Sequence, residues 1–402
     1  MTHKKNSHTD INICIVGLGY VGCPLLKLFI QKYNCIGIDT NTERVIEIND
    51  SNEAKYYVTS DWNEDIIVNC NVYIVAVPTP TNKVHQPDTS ALENVCNNLG
   101  SKLKKGDLVI FESTVYPGAT EELCIPILEK SSRLKLNRDF SVGYSPERIN
   151  TGDNKHQIHN TPKIISASNS TALDIMNNLY GSVINAPIVK ASTLKAAEAA
   201  KMYENVQRDV LIALANQYAD YCRIENIDIN EVTSIASTKW NFQRIMPGLV
   251  GGHCIGVDPY YLLDRACTKG IPLPLVKIAR QVNETKADQI AQRIIEIGKT
   301  ICGAQKSPNI LLLGFSYKPN TNDIRNTKVA DVIKRLQGKC NLDCYDPLVD
   351  SQKVRSSYGV SLCTLENIMD HHYDLSVVMV PHEVLSNLDV DSTVQIDIKE
   401  IL

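Results

Sequence analysis

The sequence has no long apolar run. Of 402 residues 43% are hydrophobic, yet nowhere do they reach the roughly 18 consecutive apolar positions that a membrane-spanning helix needs. No long run of one charge occurs either. The net charge is −4 with 21% charged residues, which leaves no basic footprint for nucleic acid or an anionic membrane surface. Residues 1–10 are polar, lack the apolar centre of a signal peptide and read as a frayed tail. Thirteen cysteines are present, but no C-x-x-C pair. Cys340 and Cys344 stand close without a second pair of ligands, so no metal site is expected. Several cysteines lie inside apolar strand or helix patterns, where they act as small hydrophobes. Without an export signal their thiols read as reduced in a cytoplasm. Short-period repeats and low-complexity linkers are lacking too. What remains is an ordinary globular chain, long enough for two or three domains.

What is there begins with alternating strands and helices. An apolar run over residues 11–16 enters Gly17-Leu18-Gly19-Tyr20-Val21-Gly22. A helical pattern follows through Phe29, and a second strand from Cys35 ends at Asp39. This is G-x-G-x-x-G in its required context of strand, turn, helix, strand and acid. Gly17 makes the tight turn, Gly19 lets a pyrophosphate approach the backbone, and Gly22 lets the helix pack on the strand. Asp39 can accept hydrogen bonds from a ribose diol and would repel a 2′-phosphate, so NAD is expected over NADP. Further strands end in Pro78-Thr79-Pro80, in Glu112-Ser113-Thr114 and in Ser145-Pro146-Glu147-Arg148. Each alone is ordinary turn chemistry. Three in succession deliver polar residues to one sheet edge, where open α/β sheets bind ligands.

From Ser192 to about Tyr221 the chain is free of glycine and proline, which predicts one helix of roughly 30 residues, about 45 Å long. It carries Lys201 and Asn205 one turn apart on a shared face. A helix of this kind joins domains and offers a dimer surface. Beyond it comes Gly251-Gly252-His253-Cys254-Ile255-Gly256-Val257-Asp258-Pro259. Asp258 before Pro259 reads as a helix N-cap, which sets the Cys254 thiol on a glycine loop near a helix N-terminus, where a thiolate is favoured. A second α/β unit starts at Pro308, with a strand through Gly314, a basic loop to Arg325, and further strands around Cys344 and from Leu375. The expected fold is α/β. It has an N-terminal dinucleotide domain over 1–190, a central helical domain over 191–300 that includes the cysteine loop, and a smaller C-terminal domain over 301–402.

The order of these motifs resembles the nucleotide-sugar 6-dehydrogenases, the family of UDP-glucose and GDP-mannose dehydrogenases, over almost the whole chain. The stretch from Pro247 to Tyr261, and Ser145-Pro146-Glu147-Arg148-Ile149-Asn150, look most like its UDP-N-acetylhexosamine branch. UDP-glucose dehydrogenases usually carry an aromatic residue where His253 stands, and a second acidic residue after the Ser-Pro-Glu that is absent here. The resemblance implies two Rossmann-like doubly wound domains joined by a long central helix, a homodimer through that helix, a UDP-sugar substrate and a cytoplasmic enzyme of polysaccharide precursor synthesis. It implies that a sugar C6 alcohol is oxidised twice by NAD, through a thiohemiacetal and a thioester on Cys254. Lys201 and Asn205 would stabilise the oxyanion, Asp258 and Lys201 handle protons, and Thr114 and Glu147 position a water. The cofactor set is Gly17, Gly19, Tyr20, Val21, Gly22, Asp39, Arg44, Pro78, Thr79, Thr114 and Arg325. The substrate set is Glu147, Arg148, Lys201, Asn205, Arg244, Gly251 and Lys318. The same chemistry on UDP-glucose, UDP-ManNAc or GDP-mannose stays open. A two-electron 6-phosphogluconate-like dehydrogenase needs no cysteine nucleophile, and a sensor without turnover needs none of Cys254, Lys201, Asn205 and Asp258.

Overall fold

The computed structural model describes residues 11–51, 56–82, 84–149 and 156–402; the tail 1–10 and Asn150 lie outside the described residues. The chain forms two compact units. The first comprises the described residues up to Glu204 together with Tyr260–Lys269, and the second Asn205–Pro259 with Gly270–Leu402.

The first unit is built on eight strands: β1 (Asn12–Val16), β2 (Asn34–Ile38), β3 (Tyr57–Thr59), β4 (Val72–Val75), β5 (Leu108–Phe111), β6 (Ser141–Tyr144), β7 (Lys163–Ala167) and β8 (Ile188–Lys190). Their order is β3-β2-β1-β4-β5-β6-β7-β8, parallel except where β7 runs against β6. Along β1 the side chains alternate. Ile13 and Ile15 pack into one core with Leu26, Phe29 and Tyr180. Cys14 and Val16 pack into the other with Val75, Leu99 and Leu128. A sheet covered on both faces reads as a continuous apolar run, which is why β1, β4 and β5 were legible. Cys14, Cys35, Cys70 and Cys96 are buried in these cores as small apolar fillers. Strand order reverses between β1 and β4, which makes their C-terminal ends the ligand crevice of this sheet.

The expected central helix spans Leu194–Ile224, 31 residues, and the boundary between the two units falls inside it. The second unit carries a four-stranded parallel sheet: β9 (Asn309–Leu313), β10 (Asn341–Tyr345), β11 (Tyr373–Val378) and β12 (Ser392–Asp397), ordered β10-β9-β11-β12. Its core joins Ile310 and Leu312 to Ile290 and Ile294 of the helix Pro274–Cys302 and to Val332 and Leu336 of the helix Lys328–Leu336. The two long helices are joined by polar contacts as well. Buried Arg280 pairs with buried Asp209 at 2.6 Å, and Asn283 donates to the Asp209 carboxylate at 2.8 Å. Asn216 donates to Asn283 and to Gly248 O and accepts from Gly248 N, which ties the stretch before the cysteine loop to the long helix.

One local expectation changes. Asp258 is the first residue of the helix Asp258–Thr268 rather than its cap. Its N–H already donates to Cys254 O at 2.9 Å, so helical bonding has begun. The turn Pro117-Gly118 stands directly before a helical segment. Gly118 bends away at φ +101°, and a π-type turn, Thr120–Cys124, leads into the helix Ile125–Ser132. Glu198 receives the amides of Gly118 and Thr120 there. The short strands β3, β8 and β12 were not foreseen, because each takes its place from its neighbours rather than from a long apolar run.

Candidate active site

In the first unit the glycine turn is shaped for a dinucleotide. Gly17 has φ +87°, and a Cβ there would stand 2.9 Å from Ala76 O. A Cβ on Gly22 would lie 1.7 Å from Gly17 O, whereas one on Gly19 would meet nothing within 4 Å. Gly17 and Gly22 are therefore glycine for packing, and Gly19 faces the open space that a pyrophosphate would take up at the start of the helix Gly22–Phe29. The Leu18 peptide is held from both sides. Its N–H donates to Asp39 Oδ2 at 2.7 Å, and its carbonyl accepts from Arg44 Nε at 3.2 Å. Asp39 Oδ1 takes Asn41 N at 2.9 Å. A carboxylate has about four acceptor sites, so Asp39 keeps capacity for a ribose diol. The residues present fit NAD.

Beside that turn the strand-end loops are stitched together. Thr79 Oγ1 donates to Thr114 O at 2.6 Å, and Ser113 Oγ to Val77 O at 2.7 Å. Below them lies a group the sequence did not reveal. Buried Lys163 pairs with Glu112 and, at 2.9 Å, with Glu147; Tyr180 OH donates to Glu112. One cation thus serves two carboxylates. Glu147 Oε1 also accepts the N–H groups of Arg148 and Ile149 at 2.6 and 2.8 Å. Glu112 lacks such backbone donors, and burial, offset only in part by Lys163 and reinforced by the Glu147 charge, pushes its carboxyl up to about 7. Burial acts to lower Lys163, but the two carboxylates outweigh it and hold the ammonium above its ordinary range. Lys201 is buried on the long helix. Arg148 is engaged by Glu204 and by Pro162 O. Thr114 is half-buried.

In the second unit Cys254 is exposed on the turn before the helix Asp258–Thr268. Its carbonyl gathers the N–H groups of Val257 and Asp258. Asn205, one helical turn after Lys201, donates through Nδ2 to Asp258 Oδ2. The structure so brings together Asn205 and Asp258, and sets them in the unit that holds Cys254. The paired glycines before the cysteine have a steric reason. A Cβ on Gly251 would meet Asn326 O at 2.8 Å, and one on Gly252 the Tyr317 ring at 2.8 Å. Gly252 N donates to Arg325 O, and Asn326 Nδ2 to Gly252 O. The cysteine loop is therefore laid directly on the loop after β9. Burial first, then the Arg325 guanidinium, lowers the pKa of His253. Arg325 is itself paired with Asp323 at 2.6 Å, and Lys318 lies 5.6 Å over the Tyr317 ring. Arg244 is exposed.

The β9 loop starts from a second switch point. Gly314 has φ +93° and packs on Val380, and its N–H donates to Tyr345 O. Asp346, after β10, accepts from Phe315 N at 2.6 Å, Ser316 N at 3.1 Å and Leu348 N at 2.8 Å, and lies 3.1 Å from His382 Nε2. Burial acts to raise its pKa, but His382 and the backbone donors outweigh this and hold it below the usual carboxylate range. Asp346 and His382 escaped sequence reasoning. Their one signal was an acid at a strand end, in the place Asp39 holds in the first sheet.

Fold and site together define a dehydrogenase that works with NAD. Residues 50–184 match the NAD binding domain of the UDP-glucose/GDP-mannose dehydrogenase family, residues 195–285 its central domain and residues 311–402 its UDP binding domain. The chain is 41% identical to a UDP-N-acetyl-D-glucosamine 6-dehydrogenase of Salmonella typhi, over 93% of this chain and 90% of that protein. It is 39% identical to one of Pseudomonas aeruginosa, over 95% and 93%. The solved UDP-D-ManNAc dehydrogenase of Pyrococcus horikoshii superposes with a TM-score of 0.87 at 27% identity, over 98% of this chain and 96% of that one. The chain belongs to the UDP-glucose/GDP-mannose dehydrogenase family. No helix among the described residues is long and apolar enough to cross a membrane.

Proposed function

We propose that this protein oxidises the C6 alcohol of a UDP-N-acetylhexosamine, UDP-N-acetylglucosamine first among them, to the uronic acid. The observation that carries the reading is the Asn205–Asp258 pair in the unit that presents Cys254 on an exposed turn. The names of the two bacterial relatives support the sugar. NAD+, held by Gly17–Gly22 and Asp39, would supply the hydride acceptor for each oxidation, a second NAD+ replacing the first NADH between them. The first oxidation leaves an aldehyde. The Cys254 sulfur then adds to C6, forming a C–S bond and a thiohemiacetal oxyanion that Lys201 and Asn205 stabilise. Its oxidation gives a thioester. A water positioned by Thr114 and Glu147 adds to the thioester carbonyl, with Asp258 and Lys201 handling protons. The C–S bond breaks, the thiolate is restored and the carboxylate departs. The balance is one alcohol, two NAD+ and one water in; one carboxylate, two NADH and three protons out.

Lys318, Arg325, Arg148, Arg244 and Gly251 make up the remaining contacts of this reading, to phosphates and sugar. Leu214, Tyr218 and Tyr221, exposed at helical spacing on the long helix, support a homodimer through that helix. The product is a precursor of the kind that polysaccharide assembly consumes. Cys254→Ser decides the mechanism. With UDP-N-acetylglucosamine and NAD, acid formation should fall below about a thousandth of the parent rate, and the parent should yield two NADH per sugar. Acid formed at the parent rate by the variant would overturn the thioester. A panel of UDP-glucose, UDP-ManNAc and GDP-mannose, followed by NADH absorbance, tests the sugar.

A further inference from the structure

The loop after β9 is anchored at its base by local bonds: Thr327 Oγ1 to Phe315 O, Tyr358 OH to Ile324 O, and Tyr317 N to Asp323 O. Its outer part, Lys318-Pro319-Asn320, is held differently. Asn320 N donates to His382 Nδ1 at 2.9 Å, and Glu383 N donates back to Asn320 Oδ1 at 2.8 Å. Asn320 adopts φ +58°, a left-handed conformation that asparagine tolerates. Ser316 Oγ donates to Lys318 O at 2.8 Å. A backbone N–H can only donate, so Nδ1 must be the bare nitrogen of His382. Its proton then sits on Nε2, facing the Asp346 carboxylate at 3.1 Å. The imidazole is fully buried. It lies after β11, across the β9/β11 crevice where this sheet's strand order reverses and a ligand is expected.

We propose that His382 is a positioning residue for nucleotide binding. It carries the anchorage of Asp346 across the switch point to the Asn320 backbone, and so fixes the Lys318 end of the loop where a nucleoside diphosphate is received. The inference rests on the reading of Lys318 as a phosphate ligand. It assigns the function to one nitrogen, Nδ1, and that makes it separable from a role in stability. Asparagine at 382 can set its Oδ1 where Nδ1 stands and keep the bond to Asn320; glutamine reaches only the Nε2 position and keeps the bond to Asp346.

The test is UDP and NAD affinity by calorimetry on the full-length protein, with thermal unfolding alongside. His382→Ala and His382→Gln should weaken UDP roughly tenfold, as loss of one or two hydrogen bonds implies, and His382→Asn by no more than about threefold. NAD affinity should stay the same in all three. Asn320→Gly, at an exposed position, keeps the backbone donor and removes the return bond from Glu383. It should weaken UDP about threefold, and it decides the matter if the His382 variants do not fold; unchanged UDP affinity there would then overturn the proposal. Lys318→Ala is the control. If it weakens UDP while His382→Ala does not, the positioning role falls and the reading of the loop stands. If Lys318→Ala leaves UDP unchanged, the reading falls and takes the proposal with it. Equal weakening by the asparagine and glutamine variants, or a matching loss of NAD affinity, would also overturn it.

Discussion

The two sheets meet their ligand edges with the same backbone and opposite uses of an acid. In each, a glycine with positive φ ends the first strand, Gly17 and Gly314, and donates its N–H to the end of the neighbouring strand. In each, a carboxylate after that neighbour, Asp39 or Asp346, receives the next amide. Asp39 is half-exposed and takes one backbone amide on each oxygen. Asp346 is buried and takes three, with His382 beside it. The first acid is left able to read a ribose. The second is committed to holding the loop after β9. A fold repeated within one chain is thus no guide to a repeated ligand; the partners of one acid decide between them.

The sharpest way to break this contrast is to remove both acids. Asp346→Ala leaves several buried donors without an acceptor and should cost about 3–5 kcal/mol. Calorimetry should show it as a large drop in the unfolding temperature. Asp39→Ala, at a half-exposed site, should move that temperature little. It should instead weaken NAD by roughly tenfold or more and improve tolerance of NADP, as read from KM for the two cofactors. If both variants mainly unfold the protein, or neither touches cofactor choice, the contrast is wrong. Gly19→Ala sits between the two. With open space around its Cβ the fold should persist, while KM for NAD rises about tenfold or more because the methyl takes the place of the pyrophosphate.

The smallest effect is in pH. Glu112, raised to about 7, binds its proton more tightly folded than unfolded. Its stabilising share is full below about 4.5 and is lost as pH rises through about 7. Asp346 is lowered, so its share is present above the ordinary aspartate range and is lost as pH falls through its folded value. Glu112→Gln should flatten the decline of unfolding temperature between about pH 5 and 8. An unchanged slope would remove Glu112 as the cause.

What was legible follows from range in sequence. Gly17, Gly19, Gly22 and Asp39 lie within one βαβ unit, and their spacing carries the chemistry. The long helix declared itself by thirty residues without a breaker. Lys163 meets Glu112 across 51 residues, and Asp346 meets His382 across 36. No local pattern marks either pair, since lysine at a strand start and histidine after a Val-Pro turn are common surface chemistry. Arg280 and Asn283 sit on a helix face that otherwise reads as polar, and only the fold shows that they are buried against Asp209. The helix start at Asp258 was missed by one residue, because the Cys254 carbonyl had already drawn the chain into the turn.

The long helix also limits how this chain can change in length. A helix advances about 1.5 Å and turns about 100° for every residue. One residue gained or lost between Asp209 and Asn216, which both meet Asn283, would turn one of them about 100° away from the other, so that both could no longer reach that side chain. Surface loops elsewhere can absorb an insertion. Here the count of residues is itself a part of the packing, so the gene should tolerate substitution along this segment far better than the gain or loss of a single codon.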